Sequence, residues 1–259
     1  MAKKCVFCTH PADSREHIFS DWMLEMLPSD QRYVVNERIS TRDKYIRYPV
    51  RKVGLKAKVV CTPCNNNWMS DLEGLCKTAM TPLLFGDNRT TLTPKEIVPI
   101  AAFAFKTLLL ANHKDLKAAP FFPFAIRRAF RLSLRIPDGV HIWMATREVL
   151  AGKYYGFWKS QSGGTDQESP FGFRSYTCTW NFQNLILQVL ATKWDNKERR
   201  RTVSPISFPQ GSDWEGASTL IWPSDGNNIP WPPPFYLGDN AIERFRDRWN
   251  AFAVQFPSA

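Results

Sequence analysis

Cys5-Val6-Phe7-Cys8, Ser14-Arg15-Glu16-His17-Ile18-Phe19 and Cys61-Thr62-Pro63-Cys64-Asn65-Asn66-Asn67-Trp68 are the three pieces of the opening stretch that decide how the chain is read. Two Cys-x-x-Cys pairs supply four thiolates, the number that closes a tetrahedral zinc site. Each two-residue gap allows a tight turn that aims both sulfurs at one ion. A single Cys-x-x-Cys could equally be a redox pair. Two of them flanking an acid–histidine pair, the second running into an asparagine triplet, point to a structural zinc held by Cys5, Cys8, Cys61 and Cys64. Unrelated core cysteines are the plainer alternative.

The chain has 259 residues, room for one large domain or two small ones. Hydrophobic residues make up 44% and charged residues 22%, the balance of a soluble protein that can bury a core. The formal net charge of +10 favours a polyanionic partner, and beside the cysteine pairs nucleic acid fits better than a membrane surface. A merely basic soluble protein is the competing reading of charge alone. Met1-Ala2-Lys3-Lys4-Cys5 has no apolar run of a secretory signal. Ile97 to Ala111 is shorter than a bilayer requires and carries Lys106, so a buried helix is expected there. Six cysteines, four already in metal-type pairs, fit a reducing cytoplasm, and Cys76 and Cys178 read as core residues.

Further along, Ser20 is placed to cap a helix from Asp21 to Leu27, ahead of Pro28. Strands are expected at 33–35, 45–48 and 55–60. A helix from Asn66 carries Trp68, Leu72, Leu75 and Ala79 on one face, with Pro82 ending or bending it. The next helix, Pro94 to Asn112, is apolar around most of its circumference, as suits the centre of a core. Phe130, Leu132, Leu134 and Ile136 alternate with Arg131, Ser133 and Arg135, which argues for a strand, although an amphipathic helix through Arg127, Arg131 and Arg135 also fits. Strands at 140–146, 153–159, 172–182 and 185–194 make an antiparallel meander. Ser160 to Pro170 and Asp195 to Arg201 read as loops, the latter with an arginine triplet suited to phosphate. The Pro- and Trp-rich 222–235 reads as extended chain. A last helix starts at Asn240, capped by Asp239, with Ile242, Phe245, Trp249 and Phe252 as its apolar stripe.

Cys-x-x-Cys, Arg-Glu-His-Ile and Cys-x-x-Cys-Asn-Asn-x-Trp together resemble the HNH endonuclease family, the zinc-knuckle branch of the ββα-metal nucleases, over residues 5–75. Over residues 5–75 the resemblance implies a zinc-clamped β-hairpin and helix, and with the element pattern of the remainder the chain reads as α+β. Residues 1–80 would form a zinc-stapled ββα-metal module, a β-hairpin followed by a helix. Residues 81–259 would add a helical segment, a mainly antiparallel β region and the terminal helix. Phosphodiester cleavage needs a base for water and a divalent ion to neutralise charge on the phosphate. His17, titrating near neutrality, suits the base. Glu16 and Asn65 offer hard oxygen ligands that suit magnesium or manganese, distinct from the zinc. The resemblance assigns the same roles. It also brings an asparagine on the second strand that orients the histidine. Here that strand reads Leu55-Lys56-Ala57-Lys58-Val59-Val60, with none.

Arg51, Lys52, Lys56 and Lys58, joined by Arg127, Arg128 and Arg131, are the expected contacts to duplex DNA. His10, His113 and His141 read as structural. Three functions compete: a metal-dependent DNA endonuclease of phage defence, restriction or a mobile element; a zinc-knuckle nucleic-acid-binding protein without cleavage; and a protein-interaction module. A partner subunit and self-association both stay open.

Overall fold

The first knuckle is a loop tied at its base: Cys5 N–H donates to His10 O (2.8 Å), Ala12 N–H to Lys3 O (2.7 Å), and Val6 N–H to Val59 O (2.9 Å). The computed structural model describes residues 3–26, 33–39, 44–50, 56–85, 89–114, 120–148, 154–162, 173–194, 214 and 216–248, with backbone alone for 33–50, 154–162, 173–174, Lys114 and Trp194. In chain order the elements are β1 (Ser14–His17), α1 (Asp21–Glu25), β2 (Tyr33–Ile39), β3 (Lys44–Val50), β4 (Lys56–Val60) and α2 (Thr62–Cys64). A π-helical turn (Asn65–Met69) leads into α3 (Ser70–Leu84), followed by β5 (Thr90–Leu92), α4 (Pro94–Lys114), α5 (Phe124–Ser133) and β6 (Val140–Thr146). Then come β7 (Tyr154–Ser162), β8 (Phe173–Phe182), β9 (Leu185–Trp194), β10 (Ser218–Trp222), β11 (Ile229–Trp231) and α6 (Asp239–Asp247).

The fold mixes α and β with antiparallel sheets. β1 pairs antiparallel with β4, and the helical run α2–α3 follows directly. Seven strands form the large sheet in the order β10-β6-β9-β8-β7-β2-β3. Every pairing in it is antiparallel except β2 with β7. The meander β7-β8-β9 is thus extended by a hairpin, β2–β3, that the chain makes between β1 and β4. Gly139 turns the chain into β6 at φ +80°, and a Cβ there would lie 2.8 Å from Thr192 O. β11, inside the Pro- and Trp-rich segment, pairs with β5 and buries Trp231.

α4 is the centre of the core, as its all-round apolarity predicts. Ile97, Ile100 to Phe105 and Leu108 to Ala111 are all buried, and the helix packs on α3, β4 and strands of the large sheet. The expected boundary after residue 80 falls inside α3, and one core runs across it. Among the described residues no helix is long and apolar enough to cross a membrane.

Several expectations need correction. The alternation over 130–136 belongs to a helix, α5, whose C-cap Leu134 takes the left-handed conformation (φ 53°) with its N–H on Phe130 O (2.7 Å). Helical spacing lets Arg127 and Phe130 share the buried face while Leu132, 70% exposed, points to solvent. Phe130 packs edge-on against Trp68 (5.9 Å between centroids) and Phe105 (4.9 Å). On α3 the apolar stripe is Leu72, Cys76, Ala79, Met80 and Leu83 in regular helical register, and Leu75 falls on its flank and is exposed. The helical run begins at Thr62, ahead of Asn66, and Pro82 lies within α3. Ser20 is the N-cap of α1, but its hydroxyl makes no cap bond. Gly238 is the N-cap of α6, because the Asp239 carboxylate accepts from Arg147 instead (2.7 Å). Residues 51–55, 163–172, 195–201, Trp249 and Phe252, which carry other expectations, lie outside the described residues.

Helix and strand registers for α5 make opposite demands on two neighbours. Phe130→Ala should cost about 3–5 kcal/mol in denaturant unfolding, and Leu132→Ala should stay within about 0.5 kcal/mol. Equal losses at both positions would favour the strand.

Candidate metal centre and adjoining cleft

The Sγ atoms of Cys5, Cys8, Cys61 and Cys64 all lie within 4.8 Å of one another, and all four residues are buried. Cys8 and Cys61 sulfurs are 3.4 Å apart and those of Cys64 and Cys8 3.7 Å, far beyond the about 2.05 Å of a disulfide. The local fold delivers each pair. The first knuckle hangs on β4 through Val6, and Phe7 N–H donates to Cys5 Sγ (3.4 Å). Cys61 ends β4 in extended conformation just before α2, whose first turn is held by Asp13: its Oδ1 accepts from Thr62 N–H (2.7 Å) and Thr62 Oγ1 (3.1 Å).

Crowded thiols cannot all ionise on their own. Cys5 is drawn down to about 4, chiefly by the hydrogen bond from Cys64. Burial pushes Cys61 up to about 11, and Cys64 is raised because it is the proton donor to Cys5. A divalent cation resolves that conflict by taking all four as thiolates. The donor set fits a zinc-like ion. So do the N–H of Phe7 on Cys5 and the Trp68 indole nitrogen, which is buried without a hydrogen-bond partner among the described residues and favours the Cys64 thiolate.

Arg127, expected on a DNA-facing surface, is placed in the interior at 8% exposure. It donates from Nη1 to Val6 O and from Nε to Phe122 O (3.1 Å). Among the described residues no carboxylate pairs with it, and Cys5 is the negative group that supports its charge. A buried guanidinium without a counter-charge costs several kcal/mol. A tetrathiolate centre, net negative even with its ion, would supply that counter-charge through the loop Arg127 grips.

Beside the cysteines lies a cleft of about 310 Å³ whose walls include Arg15, Glu16, His17, Asp21, Asn65 and Glu73. A β-bulge between Ser14 and Glu16 shifts the β1–β4 register, pairing His17 with Lys56. Glu16 points inward and is 5% exposed. His17 Nδ1, at the end of β1, is 3.0 Å from Oδ1 of Asp21, the first residue of α1. The π turn carries Asn65 into the cleft, with Nδ2 donating to Ser14 Oγ (2.9 Å). Its Oδ1 makes no hydrogen bond with any described residue. Under Glu16 lies Lys106, fully buried on α4, with Nζ 3.1 Å from Glu16 Oε1 and 2.5 Å from Glu73 Oε1. Burial raises the pKa of Glu16, and the Lys106 charge only partly offsets it. For Lys106 burial lowers the pKa, but the two carboxylates more than reverse this, so the ammonium persists.

No family model, no curated protein and no solved structure matches this chain.

The structure brings Glu16, His17 and Asn65 into one cleft and the four cysteines into one cluster. Lys56 and Lys58 are exposed on β4; Arg128 is exposed and Arg131 half-buried on α5; Arg51 and Lys52 lie outside the described residues. His10 stands apart from the cysteine cluster. His113 is pushed down to about 4 by burial first and by Arg127 and Lys3 next, as suits a structural histidine. Sequence reading missed Asp13, Asp21, Glu73 and Lys106. For Lys106 a signal was present: a lysine inside the otherwise apolar run from Ile97 to Ala111 calls for a buried acid nearby.

Purified protein should carry about one metal equivalent per chain, lost together with folding in Cys61→Ser. Arg127→Met should fold yet surrender its metal to a chelator about tenfold more readily, the size typical of groups supporting a ligand set. Unchanged metal retention would show that the guanidinium serves only the loop backbone.

Proposed function

We propose that this chain is a metal-dependent endonuclease of the HNH type that hydrolyses phosphodiester bonds in duplex DNA, with a structural zinc at Cys5, Cys8, Cys61 and Cys64. The observation that carries the reading is the single cleft joining Glu16, His17 with Asp21 at its Nδ1, and Asn65 beside the cysteine cluster. An antiparallel strand pair leading into a helix supports this reading, although α1, β2 and β3 stand between β1 and β4 where the resemblance implies a simple hairpin.

His17 acts as general base, taking a proton from the attacking water. The Asp21 carboxylate fixes the imidazole ring and supports the positive charge as it forms. It does so from α1, in place of the strand asparagine that the resembled family uses. Glu16 through Oε2 and Asn65 through Oδ1 would hold the catalytic magnesium or manganese. When bound, that ion neutralises charge on the phosphate and the leaving oxygen. Arg15, exposed at the cleft, and Lys56 and Lys58 on the neighbouring strand supply phosphate contacts that are indifferent to base sequence.

A nucleic-acid-binding protein without cleavage is the second reading, favoured by the engagement of Glu16 with Lys106. Plasmid incubated with and without magnesium or manganese separates the two. Under the first reading His17→Ala lowers cleavage by about 10²–10⁴-fold while zinc content and DNA affinity hold. His10→Ala cuts like wild type. A His17→Ala protein that cuts at the wild-type rate refutes the assignment of this cleft.

Phosphate contacts release counterions, so DNA affinity should fall steeply with salt. Replacing Lys56 and Lys58 together by Glu should weaken binding and lower the slope of log affinity against log salt by about two. An unchanged slope would place the duplex elsewhere.

A further inference from the structure

Behind the two acids of the cleft, Glu16 and Glu73, lies a buried cation that the motif does not supply. Lys106 comes from α4, 90 residues after Glu16, and is completely buried, with its ammonium 4.8 Å from the Phe103 ring centroid. A lysine is almost never fully buried unless paired, and one carboxylate suffices to pair it. Here two converge on it, Glu16 from β1 and Glu73 from α3, and both also line the open cleft. The three charges sum to net negative, the sign that draws a metal ion. The other charged groups about the cleft are Arg15 and His17 on β1 and Asp21 on α1. Only Oε1 of Glu16 is engaged; Oε2 makes no hydrogen bond with any described residue. Lys106 itself does not line the cleft, but both acids it binds do, and a lysine that merely neutralised the core would need only one of them.

We propose that Lys106 is a positioning residue of this cleft, clamping Glu16 by Oε1 against Glu73 so that Oε2 is presented to the divalent ion; the inference rests on the nuclease reading above. Lys106 transfers no proton and touches no substrate. Glu73 sets the clamp from the opposite wall and becomes repulsive toward Glu16 once the ammonium is gone.

The test uses the full-length, zinc-loaded chain as wild type, Lys106→Arg, Lys106→Met and the double variant Lys106→Met/Glu73→Gln. Manganese binding is read by electron paramagnetic resonance without DNA, and plasmid cleavage as kcat and KM against manganese. Lys106→Met should raise the manganese half-saturation at least tenfold and lower kcat, with KM for DNA unchanged. Lys106→Arg should recover most of the loss. The double variant, matched to wild type in net charge, should recover part of it, because the repulsive partner has been neutralised. Should Lys106→Met fail to fold, the double variant decides: manganese dependence equal to wild type overturns the positioning role. Tighter manganese binding with full cleavage in Lys106→Met also overturns it, since Lys106 would then only occupy the ion's place. A wild type that neither binds manganese in the cleft nor cuts DNA refutes the nuclease reading instead.

Discussion

Four buried sulfurs drawn within 4.8 Å of one another are the constraint on which this architecture rests. They fasten the loop at residues 5–8 to the end of β4. That fixes the register of β1 against β4 and hence where Glu16 and His17 emerge. The same anchor starts the helical run that carries Asn65. Side chains far apart in sequence therefore meet in one cleft because two knuckles are held together, with Arg127 bracing the first at Val6 and Asp13 the second at Thr62.

The cysteine cluster and the large sheet are not separable bodies. Between β1 and β4 the chain leaves to build β2 and β3, which extend the seven-stranded sheet through a parallel pairing of β2 with β7. α4 then fills the space between that sheet and the cysteine-bearing segment, touching β4 on one side and β8, β9 and β10 on the other. Trp68 joins the layers, meeting Phe7 of the first knuckle and Phe130 of α5 edge-on. Aromatic edges here do what a small domain's own core would otherwise have to do.

What was legible in the sequence is what short-range pattern encodes. Cysteine spacing marked the cluster, all-round apolarity marked α4, and the strand runs expected at 140–146, 172–182 and 185–194 match β6, β8 and β9. Alternation misled at α5, because Phe130 and Leu134 lie four apart as well as on even positions. Only the burial of Arg127 beside Phe130 distinguishes helix from strand. Leu75 was misplaced because the buried stripe of α3 is centred on Leu72, Cys76, Ala79 and Leu83, which leaves Leu75 on its flank. Lys106 beneath Glu16 and the β2–β7 pairing depend on contacts between distant segments, which no local period reports. His17, Glu16 and Asn65 were visible as a motif; their partners Asp21, Lys106 and Ser14 were not.

The excursion through β2 and β3 has a consequence for how the molecule comes into being. A ribosome releases the cysteine pairs, Glu16, His17 and Asn65 well before α4, and α4 well before β7. The nascent chain thus holds its metal ligands early, while the lysine behind the cleft and the partner of β2 are still unmade. Pairings between such distant segments form late, because loop-closure entropy opposes them. The cleft is completed only when the sheet is, so a truncated or half-made chain would carry the motif without a finished site.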